Sequence, residues 1–290
     1  MEERDWLAQR FEENRGHLRA VSYRMLGSLT EADDAVQEAW LRLSRAEPGS
    51  IDNLGGWLTT VVARVCLDML RSRTSRREEP LGERTPEPAG KAAGDPEHEA
   101  VMADSVGLAL LVVLERLTPA ERLAFVLHDL FAVSFSDIGA IVGRTADAAR
   151  QLASRARRRV RGAAPTDADL AGQKKVIDSF LAALRAGDVE ALVAVLDPDF
   201  VMRADAAAVP PGGQPEVRGP RVWAEQAIPL ARGARAARAA LVDGNVGVVI
   251  APRGRLFRVL KFTTRNGKIT AIEVVGDPAR LRELDLAVLG

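Results

Sequence analysis

Apolar residues recur at helical spacing through the first half of the chain, and the polar residues between them fall on faces of unequal character. From Trp6 to Leu26, the side chains Leu7, Phe11, Leu18, Val21 and Met25 share one side of a predicted helix. Thr30-Glu31-Ala32-Asp33 opens a second helix running to about Arg45. Its inner face is Ala32, Val36, Ala39, Trp40 and Leu43, while Asp34, Gln37, Glu38 and Leu41 lie opposite at i, i+3, i+4 and i+7. That strip is either a solvated face with one stray leucine or a docking surface for a partner helix. Trp57 opens a third helix to about Arg73, with Leu58, Val61, Val62, Val65 and Met69 inward and Thr60, Arg64, Asp68 and Arg71 on another face. It runs out into Arg71, Arg73, Arg76 and Arg77, a basic patch. Residues 78–98, rich in proline, glycine and charge, carry too little apolar surface to offset ordering and are expected to be a flexible linker. Ala100 to Leu117 resumes an apolar helical pattern.

Leu117 to Arg161 organises the chain. Thr118-Pro119-Ala120-Glu121 has threonine at N-cap, proline at the first helical position and glutamate at N3, a capping box. Ser134-Phe135-Ser136-Asp137 is a weaker start of the same kind, for a short helix that stops at Gly143. Thr145 caps a third helix to about Arg161. A short helix, a three-residue turn and a longer helix outline a helix-turn-helix, and a side chain at Gly139 would hold its two helices apart. On the last helix Ala149, Ala153, Ala156 and Val160 form a small-residue apolar face. The opposite face carries Asp147, Gln151, Ser154, Arg155 and Arg158, flanked by Arg150, Arg157, Arg159 and Arg161. Seven arginines from Arg144 to Arg161 meet one acid, Asp147. Such a rod suits a major groove, its N-terminal residues reading bases and its later arginines holding phosphates. A solvated basic helix or a helix for an acidic protein is the alternative.

From about Gly172 the pattern changes. Helices are predicted over Lys174–Arg185 and Val189–Leu196, then strands over Phe200–Ala204, Ala236–Val242, Val246–Ala251, Leu256–Thr264 and Ile269–Val275. The turns Asp243-Gly244-Asn245, Pro252-Arg253-Gly254 and Arg265-Asn266-Gly267 make the last four strands a meander, and Asp277-Pro278 starts a final short helix. Helices followed by an antiparallel sheet define an α+β domain.

Composition narrows the function. The 290 residues suit two or three domains, and a net charge of zero hides the clustered arginines. The lone Cys66 excludes an internal disulfide and a cysteine-cluster metal site. No metal or cofactor is expected, and no apolar run reaches membrane-spanning length, so a cytoplasmic location without membrane contact is expected. Residues 172–290 contain no histidine, cysteine or tyrosine, leaving Asp205, Glu225, Asp243 and Glu273 as the available acid–base groups. No His-Asp dyad can form there, and the chain is expected not to be an enzyme.

The segments LTEADDAVQEAWLRL (29–43), GWLTTVVARVCLDMLR (56–71), LTPAERLAFVLHDLFAVSFSDIGAIVGRTADAARQLASRARRRV (117–160) and DPARLRELDLAVL (277–289), in that order, carry a resemblance. The chain resembles the extracytoplasmic-function sigma factors of bacterial RNA polymerase, in the subgroup with a SnoaL-like C-terminal extension. The resemblance implies a multidomain protein with two all-α domains, the second a helix-turn-helix, followed by an α+β cone with a curved antiparallel sheet. The implied boundaries are 1–77 for sigma region 2, 78–99 for a linker, 100–162 for sigma region 4, 163–171 for a second linker and 172–290 for the SnoaL-like domain. It implies that Asp34, Gln37, Glu38 and Leu41 bind the clamp helices of the largest subunit of the core enzyme. The loop from Ser50 to Gly55, with Asn53 as candidate, captures a flipped base of the promoter −10 element, and Arg64, Arg71 and Arg73 face the promoter backbone. The helix-turn-helix reads double-stranded DNA at −35 and meets the polymerase flap, with Thr145, Asp147, Arg150, Gln151, Ser154, Arg155, Arg157 and Arg158 as its contacts. The extension regulates the factor in cis through an Asp-Gly-Gly-type stretch and an Asn-Pro-Asp-Lys-Leu-type tail. Here these appear as Asp205-Ala206-Ala207-Ala208 and Asp277-Pro278-Ala279-Arg280-Leu281. The cone is a candidate pocket for a small ligand. The remaining alternatives are a one-component helix-turn-helix regulator whose cone senses a small molecule, and an enzyme with a DNA-binding appendage.

Overall fold

The structure is a computed structural model that describes residues 2–46, 51–78, 105–162, 170–230 and 236–289. The linker expected at 78–99 and most of that at 163–171 lie outside the described residues, as does Ser50. Contact density divides the described chain into two units, one drawn from residues 1–103 and 114–157, the other from 104–113 and 158–290.

The first unit is all α. Helices α1 (Glu2–Leu26), α2 (Leu29–Leu43) and α3 (Leu54–Glu78) pack through the apolar stripes read from the sequence. Phe11, Leu18, Val21 and Met25 from α1, Ala32, Val36, Ala39 and Leu43 from α2, and Leu58, Val62 and Cys66 from α3 are buried. Two helix starts differ from expectation. Ser28, not Thr30, caps α2, its hydroxyl accepting the Glu31 N–H. Helix α3 begins three residues before Trp57, because Asn53 Oδ1 accepts the Gly56 N–H at 3.0 Å and supplies a cap.

Beyond α4 (Ser105–Leu114), helix α5 (Pro119–Phe125) starts with the expected capping box: Thr118 Oγ1 accepts from Glu121 N–H, and the Glu121 carboxylate accepts from Thr118 N–H. It runs on into a π-helical turn, Val126–Leu130, which periodicity did not announce. Helices α6 (Phe135–Val142) and α7 (Ala146–Arg161) complete the helix-turn-helix. Gly143 ends α6 at φ +70°. A Cβ on Gly139 would lie 2.7 Å from the Arg144 carbonyl oxygen, so the glycine admits the turn backbone itself, a closer constraint than the helix separation expected.

The second unit holds α8 (Leu170–Ala186), α9 (Val189–Val195) and α10 (Pro220–Leu230) with seven strands. These are β1 (Leu196–Ala204), β2 (Glu216–Arg218), β3 (Ala237–Val242), β4 (Asn245–Ile250), β5 (Arg258–Arg265), β6 (Lys268–Val275) and β7 (Leu286–Ala287), with α11 (Pro278–Glu283) between the last two. The order is β2-β1-β6-β5-β4-β3-β7, antiparallel except for β1 beside β6. The expected meander is present. Its two-residue loops, Asp243-Gly244 and Asn266-Gly267, all have positive φ, the hairpin geometry that matches strand twist. Sequence patterning missed β2, β7 and α10. The two strands are three and two residues long, and α10 carries an internal proline, Pro229.

The period of two sorts the sheet's side chains between two cores. On one face Phe200, Val248, Leu260 and Ile272 pack with Ile177, Phe180 and Trp223 from the helices, the expected α+β cone. On the other, Ala240, Val249, Val259 and Val275 pack with Leu281 and with Leu108, Val112 and Val113 of α4. Nearly every residue of α4 is apolar, and most of the helix belongs to the second unit, where Leu108, Val112 and Val113 meet the sheet.

Candidate nucleic-acid interface and the C-terminal cavity

Helix α7 is amphipathic in the expected sense. Ala149, Leu152, Ala153 and Ala156 are buried, while Asp147, Arg150, Gln151, Ser154, Arg155 and Arg158 are exposed. Thr145 is also exposed, and its hydroxyl accepts the Ala148 N–H at 3.2 Å, so it serves first as a cap. The arginines divide by what they touch. Arg150 donates to Asp147 at 2.6 Å and lies over the Phe135 ring, an arrangement that holds its guanidinium at the N-terminal end of the helix. Arg155 is 3.4 Å from Glu121, whose carboxylate is nearly buried, and Arg157 Nε is 2.7 Å from Asp129 Oδ1, an ion pair without hydrogen-bond alignment. These two arginines are partly spent on holding α7 to α5 and the π-helical turn. Charge counting along the helix had placed them with the DNA contacts. Arg158, Gln151 and Ser154 make no such internal bond among the described residues.

The first helical module shows the same division. Asp34, Gln37 and Leu41 are exposed on one face of α2, Leu41 at 40%, and Glu38 between them pairs with Arg42. Arg64 and Arg71 are exposed on α3, Arg71 3.8 Å from Asp68. Arg73 differs: it donates to the Leu26 carbonyl and pairs with Glu31, both at the α1–α2 corner. Asn53 is exposed, with its amide oxygen used as a cap and its Nδ2 donors uncommitted among the described residues. The side chains of Arg76 and Arg77 lie outside the described residues.

Both helical modules lie in one unit. Arg122 carries that junction and was missed from sequence. Only 3% exposed, it donates through Nε and Nη2 to the Arg24 carbonyl at 3.2 and 3.1 Å. Burial pushes its guanidinium down to about 10. His17 meets Phe131 edge-on at 5.3 Å beside it. An arginine inside an apolar helical run, Glu121-Arg122-Leu123-Ala124-Phe125, was the available signal. A groove of about 520 Å³ between α3 and the helix-turn-helix brings Arg71, Arg144 and Arg155 together.

In the second unit, the two stretches singled out for cis regulation meet. The Asp205 carboxylate accepts main-chain N–H bonds from Ala208 at 3.0 Å, Gly276 at 3.0 Å and Asp277 at 3.0 Å, and pairs with Arg280 at 3.4 Å. Partial burial opposes its ionisation, but the amides of Asp277, Gly276 and Ala208, with Arg280, outweigh burial and hold the carboxyl below the usual range. Asp277 then caps α11, accepting from the Ala279 and Arg280 N–H groups, with Pro278 in the first turn and Leu281 buried. Arg280 also pairs with Glu273 at 2.5 Å, so Glu273 points to the Asp277–Leu281 segment and not into the cone.

The cone encloses a cavity of about 400 Å³, lined by Phe180, Met202, Trp223, Val248, Leu260 and Arg258 among others. Asp205, Glu225, Asp243 and Glu273 are not among its lining residues. Asp243 pairs with Lys261 and accepts the Asp285 N–H, the work of a turn residue. Among the described residues, no helix is long and apolar enough to cross a membrane.

Residues 10–76 match the family model for sigma-70 region 2, and residues 107–160 match that for sigma-70 region 4. The chain is 39% identical to the extracytoplasmic-function RNA polymerase sigma factor SigJ of Mycobacterium tuberculosis, over 92% of this chain and 91% of that protein. It is 35% identical to the probable sigma factor SigI of the same species, over 98% of each. The crystal structure of the M. tuberculosis SigJ covers 94% of this chain and 98% of its own, at 36% identity and a TM-score of 0.46.

Proposed function

The chain belongs to the extracytoplasmic-function RNA polymerase sigma factors, and from that membership we propose that it binds the core polymerase and directs initiation at specific promoters. We propose further that residues 172–290 regulate this activity in cis. The observation that carries the reading is the sorting of α7, with Arg150, Gln151, Ser154 and Arg158 outward over a buried alanine face. In this reading those four residues, with Thr145 and Asp147, engage the −35 element, and Arg155 and Arg157 mainly brace the helix. Asp34, Gln37, Glu38 and Leu41 dock on the clamp helices of the largest subunit, which an operator-binding regulator has no use for. Asn53, through its Nδ2 donors, and Arg64 and Arg71 engage the −10 region.

The regulatory part rests on tethering and on the Asp205–Asp277 junction. A domain joined to the DNA-binding modules acts at an effective concentration on the order of millimolar, so a weak contact suffices to bias them. A small ligand in the cone is the natural input. The test is reconstituted transcription with purified core polymerase and promoter DNA. The full chain must give promoter-dependent run-off product, and removing residues 172–290 must change its yield. No transcript from either form sinks the sigma-factor reading, and equal yields sink the regulatory one.

A further inference from the structure

Among the described residues, one charged side chain lines the cavity of the cone. Arg258 is the first residue of β5, opposite Ile250, and the pleat places Arg258 and Leu260 on the cavity side while Val259 faces the other core. Around it the wall is mainly aromatic and aliphatic, with Phe180, Met202, Trp223 and Val248 among its residues; Gln214 and Gln226 add two neutral polar side chains, and no acidic residue lines the cavity among the described residues. The Arg258 Nε is buried without a hydrogen-bond partner, and its guanidinium forms no ion pair among the described residues. Its neighbour Phe257, 54% exposed at the cavity wall, lies under the guanidinium at 4.7 Å. Asp205 attracts this charge at a distance, but its oxygens already take three main-chain amides and Arg280.

A guanidinium nitrogen buried without a partner is costly, because burial removes water without supplying an acceptor. Burial accordingly lowers the Arg258 proton affinity, yet an arginine side chain keeps its charge. We propose that the cavity is a receptor site for an apolar monocarboxylate, an acyl or aryl carboxylic acid whose carboxylate takes the Arg258 guanidinium. This rests on the reading of the cone as the input domain. The chemistry follows from the wall. Among the described residues one cation, with no acid beside it in the wall, calls for a single negative charge. The planar fork of a guanidinium matches the two-oxygen face of a carboxylate. Phosphoryl groups carry more charge and hydration than one arginine in an apolar chamber replaces. The remaining wall takes a hydrocarbon or aromatic body, and the volume is that of a small-molecule site.

The test is calorimetric titration of the full chain with sodium octanoate and, as the neutral comparator, 1-octanol. Octanoate is expected to bind roughly ten- to a hundred-fold more tightly, the range of a charge-assisted hydrogen bond. R258L is expected to bring octanoate down to the level of octanol and leave octanol unchanged. That second half shows the cavity is intact, and R258Q serves the same purpose if the leucine variant unfolds. V248W, which fills the chamber, is expected to abolish both. Equal affinities for acid and alcohol, no binding of either, or octanoate binding unchanged in both Arg258 variants would overturn the proposal. Run-off transcription with and without octanoate separates this failure from that of the regulatory reading: binding that leaves transcription unchanged upholds the receptor site and removes its regulatory role.

Discussion

Asp205→Asn is the perturbation from which the junction between β1 and the Asp277–Leu281 segment can be weighed. The carboxylate is 11% exposed and fills both oxygens: Oδ1 takes the Ala208 and Gly276 N–H groups, and Oδ2 takes those of Gly276 and Asp277 with Arg280 beyond. Asparagine keeps one oxygen. In the better of its two orientations that oxygen stays at the Gly276, Asp277 and Arg280 side, and the new NH2 faces the Ala208 N–H. The variant then loses one hydrogen bond, the charge on the others, and gains a donor–donor clash. A hydrogen bond to a charged group contributes about 1.5–3 kcal/mol, so the loss should be roughly 2–4 kcal/mol. For a unit of this size that lowers the unfolding midpoint by roughly 10 °C. The assay is thermal and urea unfolding of the full chain, followed by the near-UV signal of its four tryptophans, of which Trp223 lies in the second unit. Because the folded carboxyl titrates below its unfolded value of about 4, its stabilisation is fully present above pH 5 and disappears as the pH falls through the folded value. The gap between wild type and variant must therefore narrow toward acid. A gap under about 0.5 kcal/mol at pH 7, or one that stays constant to pH 3, refutes the account, since surface substitutions outside such networks stay within that range.

Three further outcomes follow from the same reasoning. Gly139→Ala forces a methyl against the Arg144 carbonyl and should cost about 1–3 kcal/mol by urea unfolding, with weaker promoter binding; a neutral result means the turn relaxes freely. Alanine at Arg150, Gln151 or Ser154 should change affinity for some −35 sequences more than others, whereas Arg158→Ala should weaken all of them and lower the salt slope by about 1. Filter binding across a set of −35 variants at several salt concentrations tells these apart. Cys66, whose thiol burial pushes up to about 12, should react with a thiol-specific disulfide reagent at pH 8 only as fast as the chain unfolds. Rapid labelling of the native protein would show the helical core to be open.

Local signals carried far in this chain. Thr118, Ser134 and Thr145 cap the helices they were expected to cap, and the apolar stripes of α1 to α3 are the buried faces. Asp243-Gly244 and Asn266-Gly267 turn where their residue types demand. Each of these depends on neighbours within a few positions, and local residue order alone states them.

Other assignments depend on which groups approach from distant parts of the chain. Arg73, Arg155 and Arg157 read from sequence as phosphate ligands, and the fold adds internal partners that the sequence does not show: Leu26 and Glu31 for the first, Glu121 and Asp129 for the other two. Arg122 is an ordinary helix residue until the Arg24 carbonyl, 98 positions away, meets it. Asp205 could have been a general acid; three amides and a guanidinium from elsewhere make it a structural anion. The sequence by itself determined the helices, the turns, the faces and the family they belong to, because backbone preference and hydrophobic period act over short range. The tertiary structure decided which charges are spent internally and which stay free to act, because a charge is paired through space, by whatever the fold brings within a few ångströms.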